Sequence, residues 1–291
     1  MRVTQSMLSN STLRNLSNSY SKLATLDQQI STGKKFSNPS DNPVAAMRAM
    51  GYRTDLNRIQ QYQQNIGEVK NWVDTTDDAL NNATMALQKI RELMVQASNG
   101  SLEENQRSYI ATEIEQLKKQ IVDIGDTQMG GKYIFGGTRT NERPSETNFA
   151  DATGAIEVEV FSGIKLQVNT EGKGLFKDAY AGDGSIQKLI DDLKDPNVDA
   201  SALSNHLGAL DKTIDTFLTE RASIGARQNR VELMEDRLDS QEVFSTRILS
   251  DNEDVDLERA IIDLTAQESV HRAAMAIGAR IIQPTLMDFL R

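Results

Sequence analysis

Residues 43–98 read PVAAMRAMGYRTDLNRIQQYQQNIGEVKNWVDTTDDALNNATMALQKIRELMVQAS, and this stretch decides the fold. Within it Ile59, Tyr62, Ile66, Val69, Val73, Thr76, Leu80, Ala83, Leu87, Ile90, Met94 and Ala97 recur three and four residues apart in strict alternation. That is a heptad seam, the pattern that puts one apolar stripe on a long α-helix. Asn42 followed by Pro43 reads as an N-cap with proline at the first helical position, and Asn99-Gly100 supplies a stop. At 1.5 Å per residue such a helix would be roughly 80 Å long, so an elongated molecule is expected.

Working outward, a second seam runs through Ile110, Ile114, Leu117, Ile121 and Ile124. A third runs through Leu203, Leu207, Leu210, Ile214, Phe217, Ile224, Val231 and Leu238. Three helices can therefore share one bundle. Arg221, Gln228 and Glu235 interrupt the third seam at heptad spacing, where polar residues set register rather than catalyse. The two chain ends carry shorter stripes, Leu13, Leu16, Tyr20, Leu23 and Ile30 at one and Leu257, Ile261, Leu264, Met275, Ile282, Leu286 and Phe289 at the other. Each is too short to bury its stripe alone, so these residues are the candidate assembly interface, covered by each other and by neighbouring subunits.

Helical patterning stops between Met129 and Gly184, where Gly130-Gly131 and Gly136-Gly137 signal turns. Ile156, Val158 and Val160 alternate with acidic residues, and Ser162-Gly163 separates them from Ile164, Leu166 and Val168, which predicts a β-hairpin. The fold class expected is mainly α, an elongated antiparallel helical bundle or coiled coil with a small β-rich insert. Its segments are 1–42 (amino-terminal coiled coil), 43–140 (first part of the rod), 141–184 (insert), 185–250 (returning part) and 251–291 (carboxy-terminal coiled coil).

The chain has 291 residues, no cysteine and a net charge of −10, which disfavours disulfides, thiolate metal sites and nucleic-acid or anionic-lipid partners. No apolar run approaches the length of a membrane span or a secretory signal, so these rules alone point to the cytoplasm. Nothing assembles a catalytic, cofactor or metal site. His206 and His271 lie on separate helical patterns, and the glycine pairs lack a Walker lysine or a dinucleotide fingerprint. Adjacent acidic pairs such as Asp77-Asp78, Glu103-Glu104 and Asp191-Asp192 do not face one another on a helix, and Asp251, Glu253, Asp254 and Asp256 mark a break before the last helix rather than a calcium loop.

At Ile30-Ser31-Thr32-Gly33-Lys34-Lys35-Phe36-Ser37, and from Ser40-Asp41-Asn42-Pro43 to Ala46, the chain resembles the amino-terminal region of bacterial flagellins. The resemblance continues through Asn65, Trp72, Asp77-Asp78-Ala79-Leu80 and Ile90-Arg91-Glu92-Leu93-Met94-Val95-Gln96-Ala97, and returns at Ala226-Arg227-Gln228-Asn229-Arg230. Gly131-Lys132-Tyr133-Ile134-Phe135-Gly136-Gly137-Thr138 and the ending Gln283-Pro284-Thr285-Leu286-Met287-Asp288-Phe289-Leu290 are similar to the branch of that family that joins hook to filament. The resemblance spans residues 1–140 and 200–291, and the insert outside it is expected to be peripheral.

What the resemblance implies goes beyond the composition. It implies export through the flagellar type III pathway with a chaperone, and residence outside the cell, which overrides the cytoplasmic reading. It implies both termini paired in an inner tube, and a structural adaptor contacting the preceding hook-associated protein, flagellin and copies of itself in a ring. A short flagellin forming the filament itself, and an intracellular coiled-coil scaffold, are the competing readings.

Overall fold

The computed structural model describes residues 5–98, 104–147, 149–180, 184–195, 198 and 200–282. Seven α-helices carry the described chain: α1 Gln5–Thr32, α2 Pro43–Ala97, α3 Glu104–Gly125, α4 Gly172–Tyr180, α5 Ser185–Lys194, α6 Ala200–Glu253 and α7 Leu257–Ile282. Two hairpins interrupt them, β1 Gln128–Met129 with β2 Lys132–Tyr133, and β3 Glu157–Phe161 with β4 Ile164–Gln167. The mainly helical class with a small β insert is what the sequence pattern predicts.

The chain divides into a terminal unit, Met1–Arg58 with Gln241–Arg291, and a central unit, Ile59–Ser240. α2 and α6 each contribute residues to both.

In the central unit the α2 seam is buried along its whole length except at half-buried Tyr62. The local reason for the helix start also holds, since the Ala45 N–H donates to Asn42 Oδ1 at 3.1 Å. The expected stop at Asn99-Gly100 lies outside the described residues. The α3 and α6 seams meet the same core: Ile110, Ile114, Ile121, Leu203, Leu210, Ile214, Phe217, Ile224, Val231 and Leu238 are buried, with Leu117, Ile124 and Leu207 partly so.

The insert contains a helix, α4, which nothing in its periodicity announced, and its side chains join the core of the central unit. Phe149, Val160, Leu166, Val168 and Phe176 belong to the same core as Ile66 and Val69. Phe176 is the centre of an aromatic cluster, with ring centroids 5.0 Å from Phe135, 5.0 Å from Phe149 and 5.5 Å from Phe217. The sequence between two resembling regions can vary freely and still fill the bundle, because burial depends on volume and not on motif. The hairpin turns are those predicted. Gly130 and Gly131 both take positive φ, +57° and +80°, as a two-residue turn of that hand requires, and Gly163 at +75° closes the β3–β4 turn.

Candidate assembly interface

In the terminal unit α1 and α7 pack against each other. On α1 the half-buried or buried positions are Ser9, Thr12, Leu16, Ser19, Leu23, Leu26, Gln29 and Ile30, and on α7 they are Ala260, Leu264, Gln267, His271, Ala274 and Gly278. Both sets follow three- and four-residue spacing, so the pair is a short seam in its own right.

The composition of that seam is unusual for a coiled coil. Ser19 accepts from Gln267 Nε2 at 3.0 Å and sits 3.2 Å from His271 Nδ1. Gly278 lies so close to Thr12 that an added Cβ would approach its Cγ2 at 3.4 Å. Small and polar residues thus share the seam with Leu16, Leu23, Leu26, Ile30 and Leu264, while other bulky apolar residues are left outside. Leu13 is 50% exposed, Tyr20 68%, Leu257 47%, Ile261 50% and Met275 54%. Ile262, Val270 and Ile277 form a further exposed row on α7.

The candidate residues thus fall into three sets. Leu16, Leu23, Ile30 and Leu264 line the α1–α7 seam, while Leu13, Tyr20, Leu257, Ile261 and Met275 face away from it. The side chain of Ile282, and Leu286 and Phe289 altogether, lie outside the described residues.

Where α1 and α7 join the rest of the terminal unit, two linkers meet. The α1 helix ends on Gly33 at φ +71°, and the Lys35 N–H donates to the Glu253 carbonyl at 2.7 Å while the Val255 N–H donates to the Gly33 carbonyl at 2.9 Å. The Glu253 side chain is 5% exposed and accepts from Lys34 Nζ at 2.7 Å and from the Arg53 guanidinium. One buried carboxylate therefore ties the ends of α1 and α6 to α2. Removing one partner of such a group is costly, because the charge is already out of water.

In the central unit the polar positions of α6 are each matched on α2. Arg221 binds Asp77 at 2.9 Å and Asn81 at 2.8 Å, Gln228 binds Asp74 at 3.0 Å, and Glu235 binds Lys70 at 2.7 Å. The hydrogen bond that Arg221 donates to Asp77 holds its guanidinium above its ordinary pKa, and the one that Lys70 donates to Glu235 does the same for its ammonium. These pairs are about one-third exposed or more, so each is worth little energy. A slip of α6 by one heptad would break all of them together, which is how such a ladder fixes register.

Residues 3–140 match the family described as the bacterial flagellin N-terminal helical region, and residues 207–290 match the bacterial flagellin C-terminal helical region. This chain belongs to the bacterial flagellin family. Among flagellin-family relatives, flagellar hook-associated protein 3 of Escherichia coli is 27% identical over 300 residues, covering 94% of this chain and 95% of that protein. The flagellin of Bacillus subtilis is 24% identical over 295 residues, covering 97% of each. The crystal structure of Bacillus cereus FlgL superposes with a TM-score of 0.60 at 23% identity, over 69% of this chain and 99% of that one, and so shares the fold.

His206 and His271 are both engaged in helix packing, His206 Nε2 lying 2.6 Å from Asp192. Among the described residues no group of three or more His, Asp or Glu side chains is placed to hold a metal ion, and no helix is long and apolar enough to cross a membrane. The residues that sequence pattern passes over are Lys34, Arg53 and Glu253. Lys34 and Lys35 stand within the resembling stretch, yet nothing local pairs them with a carboxylate more than 200 residues away.

Proposed function

We propose that this protein is a non-enzymatic structural adaptor of the bacterial flagellum, joining the hook, through the preceding hook-associated protein, to the flagellin filament. The observation that carries this is the terminal unit's surface: a helix pair that leaves Leu13, Tyr20, Leu257, Ile261 and Met275 about half exposed or more. Contiguous exposed apolar area on a soluble chain marks an interaction site. Burying what remains exposed of these five side chains contributes about 5 kcal/mol before the costs of association. The likeness to hook-associated protein 3 over nearly the full length of both chains supports the adaptor reading. The partners that this reading assigns to the surface are neighbouring copies in a ring, the hook-associated protein below and flagellin above.

Contacts that do not close on themselves propagate a helical lattice, and an adaptor joins two of them. The same reading places the protein outside the cell, reached through the flagellar type III apparatus with an export chaperone shielding the apolar termini. Immunogold labelling tests it: the expected result is one labelled point between hook and filament. Label along the whole filament would overturn it in favour of a short flagellin, a reading that the Bacillus subtilis relative keeps open and that self-polymerisation of purified subunits would support. Label confined to the cell interior would leave only the coiled-coil scaffold.

A further inference from the structure

In the central unit α3 and α5 pack side by side, and an open crevice of about 250 Å³ runs along them, lined by Glu115, Lys118, Lys119, Val122, Asp123 and Gln187. Lys118 differs from the other half-buried lysines of the chain. Lys34 and Lys70 each donate to a carboxylate, that of Glu253 and that of Glu235. Lys118 Nζ donates instead to the neutral amide oxygen of Gln187, at 2.6 Å. The amide is oriented by its own nitrogen, because Gln187 Nε2 donates to Asp191 Oδ1 at 2.8 Å and so leaves the oxygen for the lysine. Glu115, three residues before Lys118 on α3, is engaged by Lys119 at 3.5 Å and by Lys194 at 3.3 Å. Among the described residues Lys118 therefore forms no ion pair.

An ammonium drawn out of water without a carboxylate to bind loses ground to the uncharged amine. Burial accordingly holds Lys118 below its ordinary pKa, against the opposing pull of Asp191 and Glu115. A lysine that gives up its proton more readily is the better nucleophile at neutral pH. With Lys118 uncharged, the lining holds one ammonium, Lys119, against the carboxylates of Glu115 and Asp123. That balance repels an anionic reagent and leaves a neutral one unhindered. Val122 and the lysine stems supply apolar wall.

We propose that Lys118 is a covalent attachment site for a small, neutral aldehyde. The Nζ lone pair adds to the carbonyl carbon, both amine protons leave with the carbonyl oxygen as water, and the new N–C bond becomes the C=N of an imine. No oxidant or reductant is consumed. The probe is propionaldehyde, added in limiting amount to the full-length protein at pH 7 with cyanoborohydride, which reduces the imine to a stable secondary amine for peptide mass mapping. Lys118 is expected to be labelled several-fold faster than Lys119 and Lys188, which are exposed on the same two helices. The lead should shrink as pH approaches about 10.4, where ordinary lysines lose their proton as well. Gln187→Glu gives Lys118 a carboxylate to bind and should slow its labelling at pH 7 about tenfold, the equivalent of one pKa unit, with exposed Lys212 unchanged and circular dichroism establishing the fold. Labelling of Lys118 no faster than that of Lys119 and Lys188 overturns the proposal. So does a lead that persists undiminished at high pH, or a folded Gln187→Glu variant in which Lys118 reacts as fast as before.

Discussion

The terminal and central units are built from the same kind of helix with opposite bookkeeping of apolar surface. Every large buried side chain of the continuous core lies between Ile59 and Leu238, inside the central unit. In the terminal unit the only fully buried hydrophobic residues among those described are Ala46, Ala49 and Ala260. Conversely, among the described residues the terminal unit holds fifteen of the twenty exposed large hydrophobics, including Met47 at 69% and Ile262 at 66%. The difference teaches that heptad spacing reports an apolar stripe and not its partner. In the central unit the partner is another part of the same chain. In the terminal unit the stripe is left for something else.

The comparison breaks most sharply at Phe176. Phe176→Ala removes a fully buried ring from the aromatic cluster and is expected to cost about 3–5 kcal/mol in denaturant unfolding of the central unit. An effect below about 1 kcal/mol would mean that the insert is as peripheral as its sequence suggests.

Glu253→Ala should come next, at about 2 kcal/mol, because it strips Lys34 and Arg53 of their shared acceptor. Hydrogen exchange should accelerate in α1 and α7 with little change in α3. Uniform acceleration would show that the two units do not open separately.

Leu264→Asp and Ile261→Asp sharpen the contrast within a single turn of α7. Leu264 lines the seam, so its substitution buries part of a carboxylate and should loosen the α1–α7 pair by about 1–2 kcal/mol. Ile261 is half exposed and its substitution should leave the thermal midpoint unmoved, within about 0.5 kcal/mol, while filament attachment fails and flagellin leaks into the medium. Normal filaments on cells carrying Ile261→Asp together with Met275→Asp would remove the exposed face from the assembly mechanism.

The smallest effect is electrostatic. Hydrogen bonding to Lys194 holds the Glu115 carboxyl below its ordinary pKa. A depressed folded pKa contributes stability that is present above the unfolded value, about 4.3, and lost as pH falls through the folded one. Glu115→Gln should therefore lower the midpoint slightly at neutral pH and converge with the unsubstituted protein as pH falls below about 4, flattening the acid limb of the midpoint-against-pH curve. For Lys70, raised by Glu235, the sign reverses: its increment persists below about 10.4 and fades as pH rises beyond that.

Much of this molecule is determined by local sequence. The start of α2 at Pro43 follows from Asn42 and the proline, its buried face follows from a spacing that admits one phase, and the β3–β4 turn follows from Ser162-Gly163 between two alternating runs. These are properties of neighbouring residues and need no knowledge of the rest of the chain. Three matters only the tertiary structure decided. α7 carries apolar residues on more than one face, with Leu257, Ile261 and Met275 exposed beside the buried Ala260 and Gly278, so periodicity alone does not select a face, and the one that meets α1 is that of Ala260, Ala274 and Gly278. By the same choice Ser19 turned inward and Tyr20 outward. Glu253 reads as one acidic residue among four at a helix break until Lys34 and Arg53 arrive from the far end of the chain, because a charge can be buried only where its partners are brought together in space.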